Sequence, residues 1–122
     1  SVVREEFEWT DVIHYPRSIQ RTREILRNHP DIDGIMANDL CASSFIKAAA
    51  EQGLRVPEDI KIIAYDGTYI TDFNYRTIAS VKQDVALIAK EVVQMLIKLI
   101  NKQPLEKTEV YVPVCYKEGD TI

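Results

Sequence analysis

The sequence predicts an α/β fold, a parallel sheet flanked by helices, and three observations carry that expectation. Short apolar runs alternate with stretches of helical periodicity in the order β-α-β-α-β-loop-β-α-β, the pattern of a mostly parallel sheet covered on both faces. The inner run of residues 34–37 is apolar throughout and that of 60–65 is apolar except for Lys61, as strands buried on both sides are. The 122 residues, 46% hydrophobic and 28% charged, suffice for one packed α/β domain or one lobe of a larger molecule.

Residues 2–7 alternate and are β-prone, so a first strand is expected there. Residues 9–16 read as a loop, because Pro16 stops an extended segment and suits a helix entrance. Ile19, Thr22, Ile25 and Leu26 fall at helical spacing within residues 18–27, and Asn28-His29-Pro30 ends that helix. The buried run 34–37 follows. Residues 40–52 form the next helix, apolar on the face bearing Ala42, Phe45, Ile46 and Ala49. Asn38 or Asp39 can cap its start, and Gly53 can supply the left-handed residue at its end. Residues 56–59 make a turn, 60–65 a second buried strand, 66–76 a polar loop and 78–81 a brief strand. Asp84 caps a long helix running to about Asn101, and residues 108–116 close in extended form.

That last helix does not suit a lone domain. Its polar positions, Lys90, Glu91, Gln94 and Lys98, share one narrow stripe, and apolar residues cover the rest of its circumference. A helix facing one core needs an apolar stripe of roughly 100°. This one needs partners on two sides, the second being another lobe, another subunit or a part of a longer protein.

Charge and composition exclude several function classes. With 19 acidic and 15 basic residues the formal net charge is -4, which repels a polyanion on average, so this chain is not expected to bind DNA unaided. Lys90, Glu91, Gln94 and Lys98 interrupt the longest apolar stretch, so no membrane span is expected. The charged start resembles no signal peptide and lacks an initiator Met, which points to a piece of a longer protein. Cys41 and Cys115 lie far apart without metal-ligand spacing and read as free buried thiols in a reducing compartment. His14 and His29 read as surface residues, Asp31 and Asp33 as solvated turn residues. With four glycines, no phosphate-cradling loop, no nucleophile elbow and no paired His/Asp arrangement, neither a catalytic set nor a cofactor or metal site is expected.

Ligands of open parallel sheets bind beyond the carboxyl ends of the strands. Asn38, Asp66 and Gln83 each follow a predicted strand there, and Trp9 lies just past the first. A carboxylate, two amides and an indole suit a sugar: the polar groups fork onto vicinal hydroxyls and the indole covers the C–H face of the ring. Each has a blander reading. Asn38 can simply cap its helix, Asp66 before Gly67 can be turn chemistry, Gln83 can be a solvated loop residue, and a lone Trp is as often core.

Four strings in order, DIDGIMAND (31–39), GLRVPEDI (53–60), IIAYDG (62–67) and IASVKQD (78–84), resemble the effector-binding core of the lactose/galactose-repressor family. The likeness runs from about Trp9 to the C-terminus. Glycine followed by Val-Pro-x-Asp-Ile, then an apolar strand ending in Tyr-Asp, is its most specific part. The departures are Ala64 where the family usually has Gly, Gly67 where an acid or amide is frequent, RTIAS (76–80) in place of a Pro-Leu-Thr-Thr-type segment, and no closing Arg.

The resemblance implies a two-lobed core of the periplasmic-binding-protein-like type (type I), of which residues 1–122 match mainly the C-terminal lobe, while the helix of residues 84–102 packs in the other lobe. It implies a sugar effector between the lobes, held by Trp9, Asn38, Asp66 and Gln83. It further implies operator DNA bound through a separate N-terminal helix-turn-helix domain, a homodimer touching through the helix near Leu40 and the loop after Asp66, and a cytoplasmic protein that is not an enzyme and needs no cofactor. A sugar-binding protein of a transporter shares the lobe architecture and is the rival reading. A small α/β enzyme lobe is a more remote one.

Overall fold

The computed structural model describes residues 2–122. The chain divides into two compact units, one of residues up to Lys82 together with Tyr116–Ile122, the other Gln83–Cys115. In the first unit come α1 (Trp9–Ile13), α2 (Tyr15–Asn28), β1 (Gly34–Asn38), α3 (Asp39–Glu51), β2 (Lys61–Asp66), a 3-10 turn (Tyr69–Asp72) and β3 (Ala79–Gln83), whose last residue opens the second unit. The second unit holds α4 (Val85–Ile100), and β4 (Val114–Lys117) spans the return to the first. The sheet order is β1-β2-β3-β4, and β1–β2 and β2–β3 are parallel.

The elements follow from residue chemistry. Pro16 occupies the first turn of α2, where its missing N–H is no loss. Ser18, Ile19, Thr22, Ile25 and Leu26 then recur on one face and are buried. β1 and β2 pair in register from Gly34 opposite Lys61 to Asn38 opposite Tyr65. α3 presents Ala42, Ser44, Ala48 and Ala49, all fully buried, to its neighbours, and Phe45 and Ile46 fill the space between. Ile62, Ala64, Ile78 and Ala79 contribute the sheet's own buried positions. Each fully buried Ile is worth about 1.5–3 kcal/mol over an exposed one. Gly53 takes φ +74 after α3, as expected of a helix-ending glycine.

The C-terminal tail completes this unit. Thr121 is fully buried: its carbonyl accepts from Ile62 N–H at 2.8 Å, while its hydroxyl donates to the Ile62 carbonyl and accepts from Ala79 N–H at 3.0 Å. The tail thus stitches the entrances of β2 and β3 together.

Four expectations are corrected. Residues 2–7 form no strand: alternation gives β-propensity, but these residues make no ladder with β1. They run beside the core, with Phe7 edge-on to Phe45 at 6.3 Å and Glu5 accepting from Arg21 and contacting His29 Nε2, both at 2.8 Å. His29 is therefore a half-buried partner of Glu5 rather than a plain surface residue. Residues 9–16 are two helical segments rather than a loop, broken only at His14. Cys115 is exposed, whereas Cys41 is buried as expected. The long helix stands where expected, with Asp84 Oδ1 accepting from Leu87 N–H at 2.9 Å, and no residue of it is buried.

Candidate functional site

The carboxyl ends of β1 and β2 place two of the four sequence-predicted residues side by side in the sheet. Asn38 ends β1 and pairs in register with Tyr65, the residue before Asp66, which ends β2. Both are half-buried. Asn38 also caps α3, its Oδ1 accepting from Cys41 N–H at 2.9 Å. The cap occupies the carbonyl oxygen; the two donors on Nδ2 belong to the other end of the amide. The capping role and a ligand role are therefore compatible.

Asp66 adopts φ +118, a region that a non-glycine residue enters at a cost of about 1–3 kcal/mol, and such outliers collect at functional sites. Gly67 follows at φ +70. A Cβ on Gly67 would lie 2.6 Å from Lys82 Cβ and 2.7 Å from Lys82 Cα, so the chain crosses β3 where only glycine fits. Asp66 pairs in register with Lys82. Gln83, the next residue, ends β3, is half-buried and opens the second unit. Trp9 stands apart in kind: it begins α1 and is 72% exposed, so it is neither in a loop nor a core residue.

Sequence reading assigned Asp39 only a possible cap, and the structure gives it more. Its carboxylate is 3% exposed and accepts three hydrogen bonds from the loop after β2: Gly67 N–H at 3.1 Å, Thr68 N–H at 2.6 Å and the Thr68 hydroxyl at 2.6 Å. One turn later Ser43 donates to Asn74 Oδ1 at 2.7 Å, and Asn74 Nδ2 donates to the Ile70 carbonyl. Nothing in the spacing of Asp39 separates a loop clamp from a helix cap, which is why its role was not legible.

A cavity of about 850 Å³ lies along the outer edge of β1, beneath residues 2–7. Asn38 lines it, but Trp9 and Asp66 do not. It follows the unpaired side of an edge strand rather than the strand ends. Among the described residues, no group of three or more His, Cys, Asp or Glu side chains gathers to hold a metal, and no helix is long and apolar enough to cross a membrane.

Burial pushes the Cys41 thiol up, against the opposing hydrogen bonds of Ser18 and Asn38. On the surface turn after α3, Arg55 grips Asp59 through Nε and Nη2 at 2.8 and 2.6 Å and through its own N–H at 2.8 Å, and holds its carboxyl down at about 2.

The parallel sheet with polar strand ends finds its counterpart among known proteins. Residues 2–122 match the family model described as periplasmic binding protein-like domain. The chain belongs to that family. Within it, this is a domain of the lactose/galactose-repressor type. It is 35% identical over 95 residues to the ribose operon repressor of Bacillus subtilis (strain 168), covering 77% of this chain and 29% of that protein. It is 30% identical over 107 residues to the sucrose operon repressor of Streptococcus mutans serotype c, covering 87% of this chain and 33% of the relative. The chain thus spans about a third of the length of these relatives.

The solved structures agree in fold. A transcriptional regulator CelR–cellobiose complex superposes with a TM-score of 0.81 at 22% identity, over 95% of this domain and 37% of that chain. The Lac repressor dimer bound to operator and the anti-inducer ONPF superposes with a TM-score of 0.75 at 28% identity, over 86% of this domain and 37% of that chain. These relatives are transcriptional regulators rather than enzymes.

Proposed function

We propose that this domain is the effector-sensing lobe, mainly the C-terminal one, of a cytoplasmic, non-enzymatic transcription repressor that controls a carbohydrate operon and needs no cofactor. The observation that supports it most is the rim itself: Asn38 and Asp66 end adjacent parallel strands, with Asp66 held in a backbone conformation that ordinary turn chemistry does not require. In this reading Asp66 accepts from sugar hydroxyls, the amides of Asn38 and Gln83 donate and accept, and Trp9 covers the apolar face of the ring. The names of the relatives, repressors of ribose and sucrose operons, support a sugar as the effector.

DNA contact is assigned to a helix-turn-helix domain outside this chain, in keeping with the net charge of -4 here. Homodimerisation is assigned to α3 and the loop after β2, where Tyr69 and Phe73 stack edge-to-face at 5.9 Å while 72% and 80% exposed. The apolar circumference of α4 is assigned to packing in the other lobe. Sugar then shifts the lobe arrangement only as far as its affinity for the two arrangements differs.

The test is thermal shift of the full-length protein against D-ribose, sucrose and cellobiose. One of these sugars is expected to raise the melting midpoint, and Asp66→Ala and Trp9→Ala are each expected to abolish that rise. A sugar response that survives both substitutions removes the site assignment.

A further inference from the structure

We infer that Asp39 is a positioning residue of the effector site, a buried clamp that fixes the Asp66 carboxylate without itself touching the ligand; the inference rests on the effector-site reading above. Asp39 is the first residue of α3, directly after Asn38, and its carboxylate is 3% exposed. A buried carboxylate is tolerated where donors satisfy it, and here three donors arrive from two consecutive residues of another segment, Gly67 and Thr68. Those residues directly follow Asp66, whose φ of +118 is not a conformation the chain keeps on its own. The clamp holds the loop through the Gly67 and Thr68 N–H groups and the Thr68 hydroxyl, and Gly67 itself lies against Lys82.

The same hydroxyl of Thr68 that donates to Asp39 accepts from Ile70 N–H at 3.4 Å and so opens the 3-10 turn. Asn38 and Asp39, neighbours in sequence, therefore serve the rim in different ways. Asn38 is placed at the strand end by capping α3, and Asp39 ties that same helix start to the strand end of β2. The spacing between the Asn38 amide and the Asp66 carboxylate is set by one buried carboxylate and the three neutral donors it holds.

The test uses the full-length protein and the same three sugars, D-ribose, sucrose and cellobiose, with affinity read by calorimetry. Asp39→Ala is expected to weaken the responding sugar at least tenfold, whereas Asp39→Asn, which keeps one acceptor oxygen, is expected to recover part of that loss. In an Asp66→Ala background Asp39→Ala is expected to cost less than a further twofold, because it acts through Asp66. Amide exchange at Gly67 and Thr68 is expected to speed up at least tenfold in Asp39→Ala, a readout that needs no sugar. Should Asp39→Ala melt below the assay temperature, Thr68→Val removes one of the three donors and carries the same comparison at smaller amplitude.

Full, independent losses from Asp39→Ala and Asp66→Ala, or unchanged exchange at Gly67 and Thr68, overturn the clamp while leaving the sugar site standing. A wild-type response to none of the sugars, or an Asp66→Ala protein that binds as well as wild type, overturns the site reading and the clamp with it.

Discussion

At Gly67 one methyl group decides whether β2 can end as it does. An alanine there meets both a left-handed backbone and Lys82 Cβ at 2.6 Å, and the obstructing atoms are the backbone and root of a neighbouring strand rather than a flexible side-chain tip. Gly67→Ala is expected to destabilise the protein by roughly 2–4 kcal/mol, read as a lower urea midpoint at constant slope; an unchanged midpoint would mean that β3 yields. The two cysteines make a second contrast at this scale. Thiolate is the reactive form, burial pushes the Cys41 thiol up, and Cys115 is exposed. A thiol reagent at neutral pH is expected to modify one cysteine, Cys115, in the native protein and both after unfolding. Of the four candidate residues read from sequence, Asn38, Asp66 and Gln83 end strands as expected, because strand ends are legible. The cap on Asn38 was legible too, because its partner Cys41 is three residues away, whereas the backbone of Asp66 was not, since it depends on what the third dimension brings against Lys82.

Among the elements, those with strong periodicity or a buried run were readable from sequence within a few residues: α2, β1, α3, β2, β3 and α4 all stand where expected. Residues 2–7 carry strand propensity, but a strand exists only when another strand supplies its ladder, and propensity says nothing of that partner. Residues 9–16 carry Pro16, which suits a helix entrance and does sit in the first turn of α2, but the short helix α1 before it was read as loop. The turn before β2 offers a pH test. Asp59 is held at about 2 against an ordinary value of 3.8 by Arg55. A depressed carboxyl contributes stability that is present above pH 3.8 and is lost as pH falls toward 2. Carbon-detected NMR is expected to follow the Asp59 carboxyl titrating near 2 in the wild type and higher, but still below 3.8, in Arg55→Ala, which loses the guanidinium and keeps the backbone N–H. A native-like value in that variant would shift the cause from Arg55 to the turn itself.

For the whole molecule the informative element is α4, because its chemistry asks for more than this chain supplies. Leu96 lies opposite the polar stripe of Lys90, Glu91, Gln94 and Lys98 and is 55% exposed, and Val92, Val93 and Ile100 on the flanking faces are exposed as well. Apolar residues clustered around most of a helix mark a surface that is covered in the working protein. The sequence relatives, about three times as long as this chain, have the length for a covering lobe. In the full-length protein Leu96→Ala is therefore expected to cost about 2–4 kcal/mol, the range for a buried leucine. If α4 is bare there as well, the same substitution falls within about 0.5 kcal/mol, the range of surface changes. Calorimetric unfolding of the full-length protein separates the two values. The larger cost would put the second wall of the effector pocket on the lobe that covers α4, and the smaller one would leave the strand-end rim without that wall.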